Sequence, residues 1–192
     1  SAAGTREQEV YRFGNTAGFR YVIGLRYRLI PYLYSEYMKA ALRGEMMFRP
    51  LAFDYPDDKY AAQVEDQLLL GNELMLAPVY EQNARGRYVY LPETMKMVRF
   101  KEDGTMETEI RPAGHQYIDV ELTDVVFFMR PDTLIPLAKP AQCTQDIDFE
   151  HLELLKFVQN EMASYEYYHD DGYSKDYENP EHLSLLFSTT EE

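Results

Sequence analysis

Three pairs of adjacent acidic residues are the first candidates for chemistry in this chain: Asp57-Asp58, Glu65-Asp66 and Asp170-Asp171. Hydrolysis by paired carboxylates needs two that converge on one bond, about 5 Å or roughly 6.5–9.5 Å apart. Neighbouring side chains point to opposite faces of a strand, and on a helix they diverge by about 100°. No adjacent pair therefore suits catalysis, and turns explain the first and third pairs better.

Other reactive motifs are missing from the sequence. Its four histidines form neither HExxH nor a two-histidine helical pair, and DDGYSKDYE departs from the calcium-loop pattern. No G-x-S-x-G occurs and no glycine-rich phosphate loop. Cys143 is the single cysteine, which excludes an intramolecular disulfide and a cysteine-based metal cluster. We predict no metal and no cofactor.

Arg49 and Asp66 are the charged residues for which the sequence suggests a structural role. They lie on either side of one short connection, and a guanidinium–carboxylate pair suits a partly buried site. We predict that they form an ion pair that braces the end of an α/β part. Two independent surface charges are the alternative.

Composition limits the partners. The net charge is −14, and residues 145–192 carry −11 of it, from thirteen acidic and two basic side chains. An acidic surface repels phosphate, so we expect no nucleic-acid partner and no membrane partner. No apolar run reaches the roughly 18 residues of a membrane span, and the start of the chain has no signal-peptide pattern. The single cysteine favours a reducing compartment, so we expect a cytoplasmic location.

The N-terminal part is predicted to form a helix followed by a strand. Apolar residues at three-to-four-residue spacing predict a helix over 16–43, with Glu36 and Lys39 among its polar positions. Pro31 predicts a kink or a second helix start, and Gly44 a left-handed cap. Residues 46–53 predict a buried strand. A helix followed by a buried strand is the alternation typical of a parallel α/β barrel. A short helix is expected over 60–70, ending at Gly71.

From residue 73 onward the pattern changes to short strands separated by turn residues. Alternation over 117–122 predicts a half-buried antiparallel strand with Leu122 facing inward. A hairpin is predicted at the Asp-Gly after 164–168. Together these features predict a β-sandwich-type region. The predicted strands are 74–80, 88–91, 97–100, 107–111, 117–122, 125–130, 134–136, 151–158, 164–168 and 183–187.

Several segments in this order resemble the tail of the catalytic domain of glycoside hydrolase family 31, the α-glucosidase and α-xylosidase family. RYRLIPYLY followed by RPL is similar to the last helix–strand unit of that family's barrel, and EDQLLLGNELMLAPV and YLPE are similar to the segment after that unit. VVFFMRPDTLIPL resembles a later signature, with Asp132 in place of the usual glycine. YEYYHDDGYSKDY resembles a distal-domain hairpin. The family's usual tryptophan-containing strand is replaced by 95–100, since the chain has no tryptophan.

The resemblance implies the fold class and the domains. Residues 1–70 would be the last elements of a (β/α)8 barrel, followed by all-β sandwich-type domains. Residues 71–144 would form a proximal C-terminal β-domain, and residues 145–192 the start or whole of a distal one.

The resemblance also implies a function. Family members retain the α configuration through an aspartate nucleophile and an aspartate acid/base, both upstream of the part that this chain resembles. We therefore expect the C-terminal part of an α-glucosidase, inactive alone, with no catalytic residue in this sequence. Expected partners are an α-glucoside or oligosaccharide substrate, the missing N-terminal catalytic portion, and a second copy if a homo-oligomer forms. A non-catalytic carbohydrate-binding or structural β-module is the alternative.

Overall fold

The computed structural model describes residues 9–160, 162–170, 172 and 184–189. Within these ranges the chain is mostly β-sheet: twelve strands in three sheets outweigh three α-helices. In the same ranges we find no helix with both the length and the apolar character needed to span a bilayer.

Two consecutive helices open the described fold. α1 spans Thr16–Arg28 and α2 spans Ile30–Arg43, with Leu29 between them. Pro31 lies in the first turn of α2, where its missing N–H costs no helical hydrogen bond. Gly44 ends α2 in the left-handed region at φ 70°, and its N–H donates to the Ala40 carbonyl at 3.0 Å. The predicted helix break and cap are both confirmed.

The next segment differs from the prediction of a buried strand in a parallel barrel. β1 spans only Phe48–Pro50, leaves Phe48 53% exposed, and pairs antiparallel with β2, Leu68–Leu70. α3 follows β1 directly over Leu51–Asp54. The helix expected over 60–70 is also wrong, because a single 3-10 turn, Ala61–Gln63, precedes β2. Pairing of β2 with strands on both sides outweighs its local helical spacing.

A six-stranded antiparallel sheet forms the centre of the molecule, in the order β1-β2-β3-β8-β5-β6. Successive side chains of a strand face opposite sides. Phe127 and Met129 accordingly enter one core and Phe128 the other. The remaining strands of this sheet are β3 (Leu74–Leu76), β5 (Met95–Phe100), β6 (Met106–Arg111) and β8 (Val125–Met129).

Two smaller sheets flank the central one. A four-stranded sheet has the order β10-β9-β11-β12, and β4 pairs with β7 as a two-stranded ribbon. One core joins the helices, the four-stranded sheet and one face of the central sheet, and the second lies between the other face and the ribbon. The strands are β4 (Gly86–Leu91), β7 (Gly114–Asp119), β9 (Thr133–Leu137), β10 (Glu153–Phe157), β11 (Ala163–Tyr168) and β12 (Ser184–Thr189).

Sheet membership does not follow the predicted boundaries. β1 and β2 share a sheet with β3 across residue 70, and β9 pairs with β10 across residue 144. The division into three domains stays a prediction. The strands predicted between 74 and 136 are present with shifted ends, but Leu122 is 90% exposed because β7 ends at Asp119. In the predicted hairpin, Asp171 and residues 173–183 lie outside the described residues.

Asp132 keeps the backbone conformation expected of the glycine that it replaces. Its φ is 58°, in the left-handed region that aspartate tolerates better than most residues. Its carboxylate accepts the backbone N–H groups of Gln159 and Asn160 at 2.8 and 2.9 Å. These bonds, first that of Asn160, lower the pKa of Asp132, and they tie the start of β9 to the loop after β10.

Candidate functional site

Arg49 lies in a charge cluster at the end of β1. Its Nε and Nη2 donate to the two carboxylate oxygens of Asp54 at 2.8 and 3.0 Å, and Nη2 also donates to Asn72 Oδ1 at 2.8 Å. Two-point pairing of this kind is the strongest geometry for a guanidinium and a carboxylate. α3 turns the chain so that Asp54 lies beside Arg49, which is five residues earlier. The hydrogen bonds from Arg49 lower the pKa of Asp54.

Arg130, just after β8, completes the cluster. Its Nη1 donates to Asp54 Oδ2 at 2.8 Å and its Nε to Glu93 Oε1 at 2.9 Å. The Tyr55 hydroxyl donates to the same oxygen of Glu93, and the Tyr55 ring lies 5.2 Å from the guanidinium of Arg130. The end of α3, the loop after β4 and the end of β8 are thereby joined. We call Arg49, Asp54, Glu93 and Arg130 the arginine cluster.

The structure gives Arg49 and Asp66 different partners, which corrects the ion pair predicted between them. Asp66 Oδ2 lies 2.5 Å from Nη2 of Arg87, and Arg49 is held by Asp54. Both predicted residues line one open groove of about 780 Å³, so they share a surface without forming an ion pair. The prediction failed because no sequence pattern indicated α3, the four-residue helix that supplies Asp54.

A second charged group is enclosed where α2 packs against the β2–β3 turn and β11. The side chains of Glu36 and Lys39 are 3% and 6% exposed, and Glu36 Oε1 lies 2.6 Å from Lys39 Nζ. The Tyr165 hydroxyl donates to Glu36 Oε1 at 2.9 Å, and Lys39 Nζ lies 4.0 Å from the Tyr165 ring centre. We call this group the buried junction: Tyr32, Glu36, Lys39, Glu73 and Tyr165.

Glu73 completes the buried junction from the β2–β3 turn. The Tyr32 oxygen lies 2.5 Å from the Leu70 carbonyl oxygen and 3.0 Å from Glu73 Oε2. Tyrosine has one hydroxyl proton, so when it is donated to Leu70, the Tyr32–Glu73 hydrogen bond requires a protonated Glu73 carboxyl. Burial, followed by the charge of Glu36, raises the pKa of Glu73 to about 7, while Lys39 and the hydrogen bonds with Tyr32 and the Asn72 N–H act in the opposite direction.

Gly71 makes the close approach within the buried junction possible. Its φ is +65°, and a Cβ at this position would lie 2.5 Å from both Glu36 Cδ and the Tyr32 hydroxyl oxygen. Neither contact is sterically tolerable for a larger residue without movement of a buried group. The glycine therefore lets the β2–β3 turn lie against α2.

Four of the described acids make structural contacts in this geometry. Glu36 and Glu73 are 3% and 7% exposed, which leaves no room for a substrate between them. Asp58 accepts the backbone N–H groups of Tyr60 and Ala61 at 2.8 and 3.2 Å and so stabilises a turn. Asp170 accepts the Tyr34 hydroxyl. Within the described ranges no group of three or more His, Cys, Asp or Glu residues is arranged to hold a metal ion.

The helical spacing predicts Glu36 and Lys39 at polar positions of a helix and does not show that they are buried. One feature could have revealed it. Tyr32, Glu36 and Lys39 are spaced by four and three residues, so they continue on the same face of α2. Tyr32 is fully buried, and that face is the one that packs on the sheets.

Fold and site together define a β-rich region that is held together by internal ion pairs. The comparison with protein families then gives the family. Residues 44–135 match the glycosyl hydrolase family 31 C-terminal domain. The family relationship predicted from the sequence is confirmed, and the chain is a C-terminal portion of a family 31 protein.

Individual relatives agree with this family. The lysosomal α-glucosidase of Bos taurus is 30% identical over 91% of this chain, which corresponds to 20% of that protein. α-Glucosidase 2 of Bacillus thermoamyloliquefaciens is 28% identical, with 96% of this chain and 23% of the relative covered. The solved structure of a Flavobacterium johnsoniae GH31 dextranase with glucose superimposes with a TM-score of 0.78 at 28% identity, covering 98% of this chain and 23% of that one. The chain therefore spans about a fifth of the length of these proteins.

Proposed function

We propose that this chain is the C-terminal part of a retaining glycoside hydrolase that acts on α-glucosides, and that both catalytic aspartates belong to an upstream portion. The observation that carries the proposal is the alignment. Relatives named α-glucosidase match 91% and 96% of this chain with only 20% and 23% of their own length. In this proposal residues 1–70 end a (β/α)8 barrel, 71–144 form a proximal β-domain, and 145–192 belong to a distal one.

The exposed apolar surface of α1 supports the proposal that another portion of the protein packs against this helix. Phe19, Val22 and Ile23 are 37%, 41% and 42% exposed on this helix. Apolar side chains clustered on an exposed helix indicate a surface that another part of the protein covers. The upstream catalytic portion is the partner that the proposal requires there.

We also propose that the charged residues of the site position the C-terminal part and do not react. Arg49 would fix the end of β1 through Asp54, and Asp66 would fix the segment before β2 through Arg87. The buried junction would hold α2 against both sheets.

The test is complementation. The 192-residue chain is assayed alone and after it is joined to the catalytic portion, with p-nitrophenyl α-glucoside as substrate. We expect no hydrolysis by the chain alone and hydrolysis with the α product when the two are joined. A folded complex that stays inactive, or hydrolysis by the chain alone, would contradict the proposal.

For the location we propose the cytoplasm, on the ground that the lone Cys143 is a free thiol. Some relatives are named lysosomal, so the location is a separate question from the family. Fractionation of the producing cells tests it, and recovery of the protein in a secretory or lysosomal fraction would contradict it.

A further inference from the structure

The outer face of the β4–β7 ribbon carries a ladder of aromatic rings. Tyr88 pairs with Tyr117 across the two strands, and Tyr90 pairs with His115. Directly opposed residues project to the same face of a sheet, so all four rings share one face. Their centroids are 5.2 Å apart in the first pair and 4.8 Å in the second. The opposite face of the ribbon packs into the second core through Val89, Leu91 and Ile118.

The end of this face that carries Tyr88 and Tyr117 is open to solvent, while Tyr90 is 9% exposed and packs in the second core. Tyr88 is 73% exposed and Tyr117 53%, and the neighbouring Tyr80 is 69% exposed. Tyr60, 47% exposed, packs edge-on against His115 at 5.2 Å. An exposed, contiguous apolar patch of this kind marks a binding surface more often than isolated exposed residues do. Tyrosine adds a polar hydroxyl to a broad apolar ring.

The rings border a groove and not a flat surface. Tyr80, Tyr88 and Tyr117 line a cavity of about 330 Å³ together with Arg87. An adjoining cavity of about 390 Å³ shares Tyr80, Arg87 and Tyr88 with it and continues along the ribbon to His115. We call the two together the aromatic groove. Gly86 is required beside it, because a Cβ there would clash with the backbone carbonyl oxygen of Ile118 and lie 2.9 Å from Asp119 Cα.

Arg87 and Asp66 pair with each other on the groove lining, which also carries Glu65 and Glu81. Arg87 Nη2 lies 2.5 Å from Asp66 Oδ2, and Arg87 Nη1 donates to the Pro78 carbonyl at 2.7 Å. The guanidinium is thus fixed by contacts within the chain, and the carboxylates of Asp66, Glu65 and Glu81 are the groups of the lining that can accept hydrogen bonds. With a net charge of −14 the chain also repels anionic ligands. A fitting ligand is neutral, has apolar faces for stacking and carries many hydroxyl groups.

We propose that the aromatic groove binds a neutral linear gluco-oligosaccharide, whose pyranose rings lie on Tyr88 and Tyr117 while hydroxyl groups meet Arg87 and Asp66. The choice of glucose units rests on the proposed function. The groove and its chemistry do not.

The experiment is calorimetric titration of the 192-residue chain with maltoheptaose. Tyr88→Ala removes a stacking ring from an exposed position, so we expect the affinity to fall about tenfold. Tyr88→Phe keeps the ring and is expected to stay within about twofold of wild type. Tyr37→Ala is the matched control, because Tyr37 is 58% exposed on α2, away from the groove, and its removal is expected to change nothing.

Several outcomes overturn the inference: no binding by the wild-type chain, equal affinity in all four proteins, or a self-association that Tyr88→Ala abolishes without sugar binding. The proposed function is judged separately by complementation. Binding that depends on Tyr88, in a joined enzyme that does not hydrolyse α-glucosides, supports the groove and rejects the proposed function. Hydrolysis of α-glucosides by the joined enzyme without binding at the groove supports the proposed function and rejects the inference about the groove.

Discussion

The arginine cluster and the buried junction are built from the same kinds of residue and differ in charge balance and burial. In the arginine cluster two guanidinium groups face two carboxylates, and the side chains are 13–29% exposed. In the buried junction the ammonium group of Lys39 pairs with Glu36, Glu73 lies beside Tyr32, and Glu36, Lys39 and Glu73 are 3–7% exposed. Solvent can compensate for a lost partner in the first group but not in the second. Stability should therefore respond strongly to changes in the junction and weakly to changes in the cluster.

The largest effect is expected from loss of the one cation in the junction. Lys39→Met leaves the buried carboxylate of Glu36 without its ion-pair partner, and breaking a buried pair in this way costs about 3–5 kcal/mol. Urea unfolding at neutral pH measures the change. Lys101→Met is the control, since Lys101 forms an exposed pair with Glu107, and its unfolding midpoint should not move. Equal shifts for the two variants would remove the distinction between the two environments.

Gly71→Ala should have the next largest effect. The new Cβ would meet the Tyr32 hydroxyl oxygen at 2.5 Å, in a backbone conformation of φ +65° that alanine disfavours. We expect a loss of about 2–4 kcal/mol in unfolding free energy. Gly24→Ala is the matched control, because nothing lies within 4 Å of a Cβ there and alanine favours a helix interior. A gain of about 0.5–1 kcal/mol is expected for the control.

The third prediction concerns pH. Because the pKa of Glu73 is raised from 4.5 to about 7 in the folded protein, folding favours the protonated carboxyl. Its stabilising contribution is complete below pH 4.5 and is lost as the pH rises through 7. Relative to Glu73→Gln, the wild-type unfolding free energy should fall by roughly 2–3 kcal/mol between pH 4.5 and 8. Parallel stability curves for the two proteins would show that Glu73 does not titrate in this range.

The smallest effect is expected in the arginine cluster. Arg49→Gln leaves Asp54 paired with Arg130, so the loss should be about 1 kcal/mol at neutral pH. The pKa of Asp54 is lowered below 3.8, so the stabilisation that the Arg49–Asp54 pair provides is lost as the pH falls through the lowered value. The unfolding free energies of wild type and Arg49→Gln should therefore converge in acid. Arg85→Gln, at an exposed position, is the control and should match wild type. A loss as large as that of Lys39→Met would contradict the comparison.

Local rules predicted much of the fold, and tertiary contacts account for what they missed. The break at Pro31, the cap at Gly44 and the strand at Val125–Met129 follow from backbone chemistry and side-chain alternation. β2 was predicted as helix because its pairing with β1 and β3 is not local. For the site, the sequence identified Arg49 but not Asp54, and it left Glu36 and Lys39 on a polar surface. Burial of a charge depends on what packs against it, and helix periodicity alone does not show that.

We propose that the carboxylates of this chain hold structure and do not react. The most direct test is kcat for an α-glucoside in the complete enzyme that carries Glu73→Gln, with Glu36→Gln in parallel. We expect kcat within about twofold of wild type for both, while the unfolding midpoint shifts in at least one. A fall in kcat of about a hundredfold or more in a fully folded variant would show that a group in this chain takes part in the chemistry.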